Sequence, residues 1–131
     1  MKLYKLFTAL LLVFALNSLS AQAKKEKWPQ INAYHEVMSK TFHPAEEGNL
    51  EPIKKDAQLL LEKADAITEE SIPADLRSPK LLETLVVLKR ETKKVNDLVQ
   101  EKAPDATIMK VLSYLHDVFH EIVGMCSPAK H

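Results

Sequence analysis

Four stretches of the chain place apolar residues at alternating spacings of three and four, the pattern of an α-helix that buries one face. No stretch shows the two-residue alternation of a β-strand, so an all-α fold is predicted. Short linkers are predicted at residues 43–48, 71–77 and 103–104, which makes successive helices antiparallel neighbours. We therefore expect an antiparallel up-down-up-down four-helix bundle. The repeating positions are Trp28, Ile31, His35, Met38 and Phe42; Leu50, Ile53, Ala57, Leu60, Ala64 and Ile67; Leu81, Leu85, Leu88, Thr92, Val95 and Val99; Ile108, Leu112, Leu115, Phe119 and Ile122.

Residues with strong capping preferences lie at the ends of these stretches. Asn49 is predicted to cap the second helix and Asp105 the fourth, and Ser78-Pro79 is typical of a cap followed by the first helical residue. Gly124 is predicted as a left-handed C-terminal cap of the fourth helix. These signals support the same four helices.

The first residues of the chain have the pattern of a secretory signal peptide. Lys2 and Lys5 precede a mostly apolar run over residues 6–16, and Ala21-Gln22-Ala23 provides a small-residue cleavage site. The apolar run is shorter than the roughly 20 residues that a spanning helix needs. We expect residues 1–23 to be removed, with a cut after Ala21 as the alternative. Residues 24–131 are then one periplasmic or secreted domain without stable membrane insertion.

Composition excludes two classes of protein. The chain has 18 basic and 18 acidic side chains, so it lacks the basic excess of a nucleic-acid-binding domain and no nucleic-acid partner is expected. Cys126 is its only cysteine, which excludes an intramolecular disulfide scaffold and leaves pairing between two copies in a homodimer open. The unusual feature is five histidines in so short a chain.

Three of these histidines are predicted to converge on a transition metal ion. His35 repeats the position of Trp28 one heptad later and is expected to point into the core. His116 and His120 are four residues apart and share one face of the fourth helix. At about 1.5 Å rise per residue, His35 lies within one turn of His116 when the first and fourth helices are antiparallel. Imidazole ligands suit zinc, copper, nickel or iron.

Three further residues extend this prediction. His43 and Glu47 could add ligands or form a second site, and the alternative is an acidic surface linker. Met38 is expected to pack in the core, although its thioether could also ligate copper or haem iron.

The same spacing raises the question of a hydrolase. His116 and His120 have the spacing of the zinc-protease motif H-E-x-x-H, but Asp117 replaces the glutamate that acts as general base. A domain of this size also leaves little room for a peptide cleft, so no enzymatic activity is expected.

The predicted bundle, the export signal, Ser78-Pro79 and the run of residues 117–121 (Asp-Val-Phe-His-Glu) resemble the cytochrome c prime family and its relatives that hold haem b without covalent bonds. The resemblance covers most of the mature chain as architecture. Covalent haem needs Cys-x-x-Cys-His, and with His120 as that histidine the two cysteine positions hold His116 and Phe119. The resemblance therefore implies non-covalent haem, ligated by His120 or His116 on one side and by Met38 or His35 on the other.

The sequence thus predicts an exported protein that binds a transition metal for sequestration, delivery or sensing. The first alternative is an electron-transfer cytochrome with b-type haem. The second is a metal-free interaction or chaperone bundle that uses its exposed helix faces.

Overall fold

The computed structural model describes residues 27–126, which form four α-helices and, within this range, no β-strand. The helices are α1 (Pro29–Glu46), α2 (Glu51–Asp65), α3 (Pro79–Gln100) and α4 (Asp105–Cys126). The all-α prediction is confirmed. The predicted signal peptide lies outside the described residues.

The helix starts follow the capping chemistry of the sequence. The Ser78 hydroxyl accepts a hydrogen bond from the Leu81 N–H at 3.1 Å, and Pro79 is the first residue of α3. The Asn49 side chain accepts from the Glu51 N–H at 3.2 Å, one residue before the position at which α2 is capped. Asp105 is the first helical residue of α4 rather than its cap.

Two predicted helix ends were wrong. The first helix does not stop at His43; it continues through Pro44 to Glu46, and Gly48, with a φ of 91°, turns the chain towards α2. Proline is accommodated in this last turn although it lacks an N–H group. Gly124 does not cap α4, because the helix continues to Cys126 and Gly124 lacks a left-handed φ.

The core is built from all four helices and from the connection between α2 and α3. Each helix packs against its sequence neighbours, and α1 also contacts α4. The connection contains two single-turn 3₁₀ helices, Glu69–Ser71 and Ala74–Leu76, and buries Ile67 and Ile72. Trp28 is buried just before α1 begins, and its indole N–H donates to the Ser71 hydroxyl at 3.3 Å.

The prediction that His35 points into the core was wrong. His35 is exposed, and the neighbouring Tyr34 is fully buried. The Thr92 hydroxyl donates to the Leu88 carbonyl at 2.6 Å, so the Tyr34 hydroxyl donates to Thr92 at 2.9 Å. The error arose because the heptad positions were counted from Trp28. Trp28 is the N-cap residue of α1 and is not helical, so its burial does not show which face of the helix is buried.

None of the helices in the described part of the chain combines the length and the apolar character needed to cross a membrane.

Candidate metal site on α1 and α4

His116 and His120 face each other across one turn of α4. Their Nε2 atoms are 3.1 Å apart, and their rings are nearly perpendicular, with centroids separated by 4.4 Å. Residues four apart on an α-helix lie above one another, which explains why the two rings meet. At 3.1 Å, one nitrogen must donate its N–H and the other must accept, or both lone pairs must face a shared cation.

The ring of His116 is held by an aromatic neighbour on α1. Phe42 is buried and stacks on His116 with a centroid separation of 3.7 Å and an interplanar angle of 14°. His116 itself is half-buried, whereas His120 is exposed. The stack fixes one imidazole of the pair and leaves the other accessible from solution.

The pKa of His116 is lowered from its ordinary value. Burial is the main cause, because it penalises the charged ring, and the positive charge of His120 acts in the same direction. Glu46 and Asp117 oppose the shift through their negative charges. The net effect favours the neutral imidazole, which is the form that ligates metal ions.

His43 lies beside the pair, in the last turn of α1. Its ring centroid is 6.5 Å from that of His116, and its Nδ1 is 3.4 Å from a carboxylate oxygen of Glu46. A proton on Nδ1, directed at this carboxylate, leaves the lone pair on Nε2. Glu47, which was predicted as a possible further ligand, is exposed and is the C-terminal cap of α1. The contact with Glu46 follows from the extension of α1, since residues three apart are neighbours on a helix.

The ring of His35 contacts Phe119, and Met38 is buried. The His35 ring stacks on Phe119 with a centroid separation of 5.2 Å and an angle of 25°. His35 and His120 both line a cleft of about 260 Å³ between α1 and α4. Met38 is only 1% exposed and packs in the core, as predicted.

Within residues 27–126, no three histidine, cysteine, aspartate or glutamate side chains are placed so that they could share a metal ion. The geometry therefore brings together two imidazole nitrogens, those of His116 and His120. His43 and Glu46 lie beside this pair, and His35 lines a cleft with His120.

Comparisons of the chain with models of protein families, with curated proteins and with solved structures find no match.

Proposed function

We propose that this protein is an exported four-helix bundle that binds a transition metal ion through the Nε2 atoms of His116 and His120. The observation that carries the proposal is the 3.1 Å separation of these two atoms. The role is sequestration, delivery or sensing of the ion rather than catalysis.

The separation matches the requirement of a chelated ion. Imidazole nitrogens lie about 2.0–2.1 Å from zinc, and a tetrahedral angle between two such bonds separates the nitrogens by about 3.3 Å. The pair therefore needs to open by only a few tenths of an ångström to admit the ion. The helix and the stacking of Phe42 on His116 already restrict the motion of the two rings, so less side-chain entropy is lost when an ion binds.

The proposed bundle is antiparallel, with its helices running alternately up and down. Short connections favour this arrangement, and contacts across the molecule support it. Lys80, at the start of α3, forms an ion pair with Glu121, near the end of α4. Phe42 contacts His116, whereas His35, earlier in α1, contacts Phe119, later in α4. This order supports an antiparallel pairing of α1 and α4.

The exposure of the pair supports a role in which the ion is exchanged. Structural zinc sites are closed by four protein ligands, whereas a site with fewer protein ligands leaves coordination positions open to other ligands. His120 is exposed, and the described part of one chain brings together two imidazole nitrogens and no set of three ligands. An ion held this way remains accessible to a donor or acceptor protein outside the cytoplasm.

The size of the neighbouring cleft favours an ion over haem. The cleft lined by His35 and His120 measures about 260 Å³. Sites for small molecules and cofactors usually measure about 300–1,000 Å³, and haem is a large cofactor. An absorption scan of the purified protein tests this point, because bound haem would produce intense visible bands.

The proposal is tested by thermal unfolding of protein purified without a histidine tag. Zinc or copper at about pH 7.5, where histidine is mostly neutral, should raise the unfolding midpoint by mass action. The double variant His116→Ala/His120→Ala should lose this increase and still fold, because neither ring fills the centre of the core.

The matched control is Lys93→Ala/Asp97→Ala, which removes another exposed i,i+4 pair, joined at 2.8 Å on α3, and should keep the response to metal. An unchanged metal response in the histidine double variant, or loss of the response in the control, would contradict the assignment.

A further inference from the structure

We propose that the metal ion is shared by two copies of this chain, each of which supplies His116 and His120. This inference rests on the proposed function and goes further, because it names the source of the remaining ligands. It predicts a homodimer that forms only when the metal is present.

The number of ligands is the first argument. Each chain, within its described residues, brings two imidazole nitrogens together and offers no set of three. Zinc in structural sites is almost always four-coordinate and tetrahedral. A two-fold axis through the ion places two identical pairs around it, and most homo-oligomers have such symmetry. Two chelates of two nitrogens thus complete the sphere, so that the ion is enclosed in the dimer and open to exchange in the monomer.

The position of His43 is the second argument. His43 is the nearest further imidazole, but its ring centroid lies 6.5 Å from that of His116 and its Nδ1 is directed at Glu46. To ligate the ion, the His43 ring would have to swing towards the pair. A second copy supplies its ligands without this rearrangement.

The surface around His120 is the third argument. Val123, one turn further along α4, is 39% exposed, and the cleft beside it is lined mainly by apolar groups. Contact between two copies about the ion would cover both Val123 and this cleft.

The carboxylates Glu46 and Asp117 also lie near His116. Two copies bring these negative charges together, which is unfavourable without the ion and is compensated by its positive charge. The dimer is therefore expected to depend on the metal.

The test is sedimentation analysis of the chain without its predicted signal peptide, titrated with zinc chloride at about pH 7.5. The expected result is a monomer without zinc, a dimer that saturates at one zinc ion per two chains, and reversal by a chelator. The His116→Ala/His120→Ala variant should remain monomeric, and His43→Ala should dimerise as the original chain does. Circular dichroism of each variant confirms that it folds.

Val123→Asp separates the shared site from simple metal binding. It retains both imidazoles and adds a negative charge at the proposed contact. We expect it to bind zinc while its dimer is weakened by about tenfold or more, which corresponds to roughly 1.4 kcal/mol.

The remaining outcomes are decisive. A monomer that binds one zinc ion per chain would overturn the shared site and leave metal binding by the pair intact. Loss of zinc binding or of dimerisation in His43→Ala would have the same consequence. Zinc-dependent dimerisation of the histidine double variant would overturn the shared site as well. Absence of any zinc binding would overturn both proposals.

Discussion

The surroundings of His116 hold its ring in place and favour its neutral form. Phe42 covers one face of its ring, and His120 faces its Nε2 atom. The neighbouring carboxylates temper the preference for the neutral ring without reversing it. The same contacts also make His116 a contributor to the pH dependence of folding.

The lowered pKa of His116 makes the metal-free protein less stable as pH falls. In the unfolded chain the group titrates at about 6.5, so between the two pKa values the unfolded state binds more protons. The contribution of His116 to the free energy of unfolding is therefore complete above about pH 6.5 and is lost as pH falls through the folded pKa. Ring-proton NMR should give a His116 midpoint below 6.5.

The control for this titration is His120→Ala. It removes the positive charge opposite His116 and should raise the His116 midpoint, without restoring the ordinary value because burial is the larger cause. A His116 midpoint at or above that of a free histidine in the original chain would contradict the contacts described here.

A second prediction at this scale concerns the buried hydroxyl of Tyr34. Tyr34→Phe removes its hydrogen bond to Thr92, while the Thr92 hydroxyl keeps its bond to the Leu88 carbonyl. No polar group is stranded, so the free energy of unfolding should fall by only about 0.5–1.5 kcal/mol in chemical denaturation.

Tyr114 provides the matched control for this change. It is 50% exposed, so its hydroxyl can be solvated, and Tyr114→Phe should change stability by less than Tyr34→Phe does. Equal effects of the two changes would mean that the buried hydrogen bond contributes nothing.

At the scale of helices, the apolar spacing predicted all four elements, because amphipathic periodicity over many residues averages out local ambiguity. Ser78 and Pro79 also fixed the start of α3 to the residue. The ends were harder to predict. His43-Pro44 and Gly124 carry residues that often end helices, yet tertiary packing extends α1 and α4 past both.

The candidate site could be predicted only in part. The i,i+4 spacing placed His116 and His120 together, since it depends only on helix geometry. Whether His35 faces the core depends on how α1 is rotated about its axis. The position of Trp28 gave the wrong rotation, because Trp28 precedes the helix. The contact of His43 with Glu46 depended on a helix end that capping residues did not indicate.

Replacing each of the two glycines in the described residues by alanine should have opposite effects on stability. Gly48 has a left-handed φ of 91°, so Gly48→Ala should destabilise the protein by about 1–2 kcal/mol, even though a Cβ would meet nothing within 4 Å. Gly124 is inside α4 with open space around its Cα. Gly124→Ala should therefore stabilise the protein by about 0.5–1 kcal/mol. Denaturant midpoints of the two variants should move in opposite directions, and a loss of stability in Gly124→Ala would mean that α4 ends earlier.

For the whole molecule, metal binding should be linked to folding. With free zinc at about 100 times its dissociation constant, the free energy of unfolding rises by about 2.7 kcal/mol. In a domain of this size this corresponds to a midpoint increase of about 10–20 °C. Protons compete for the imidazoles, so the increase should shrink as pH falls through about 6.5. Melting curves at several pH values measure it, and a constant increment across this range would indicate ligands other than histidine.

Trp28 gives the protein an internal fluorescent reporter. It is the only tryptophan of the chain, and it is buried against the connection between α2 and α3. Phe42, which stacks on His116, lies fourteen residues further along, or about 21 Å at the rise of an α-helix. His35, which lines a cleft with His120, lies seven residues further along, or about 10 Å. Emission from Trp28 should therefore move to longer wavelength when the core opens, and change much less when zinc occupies the pair. Unfolding and occupancy can then be followed separately in one sample.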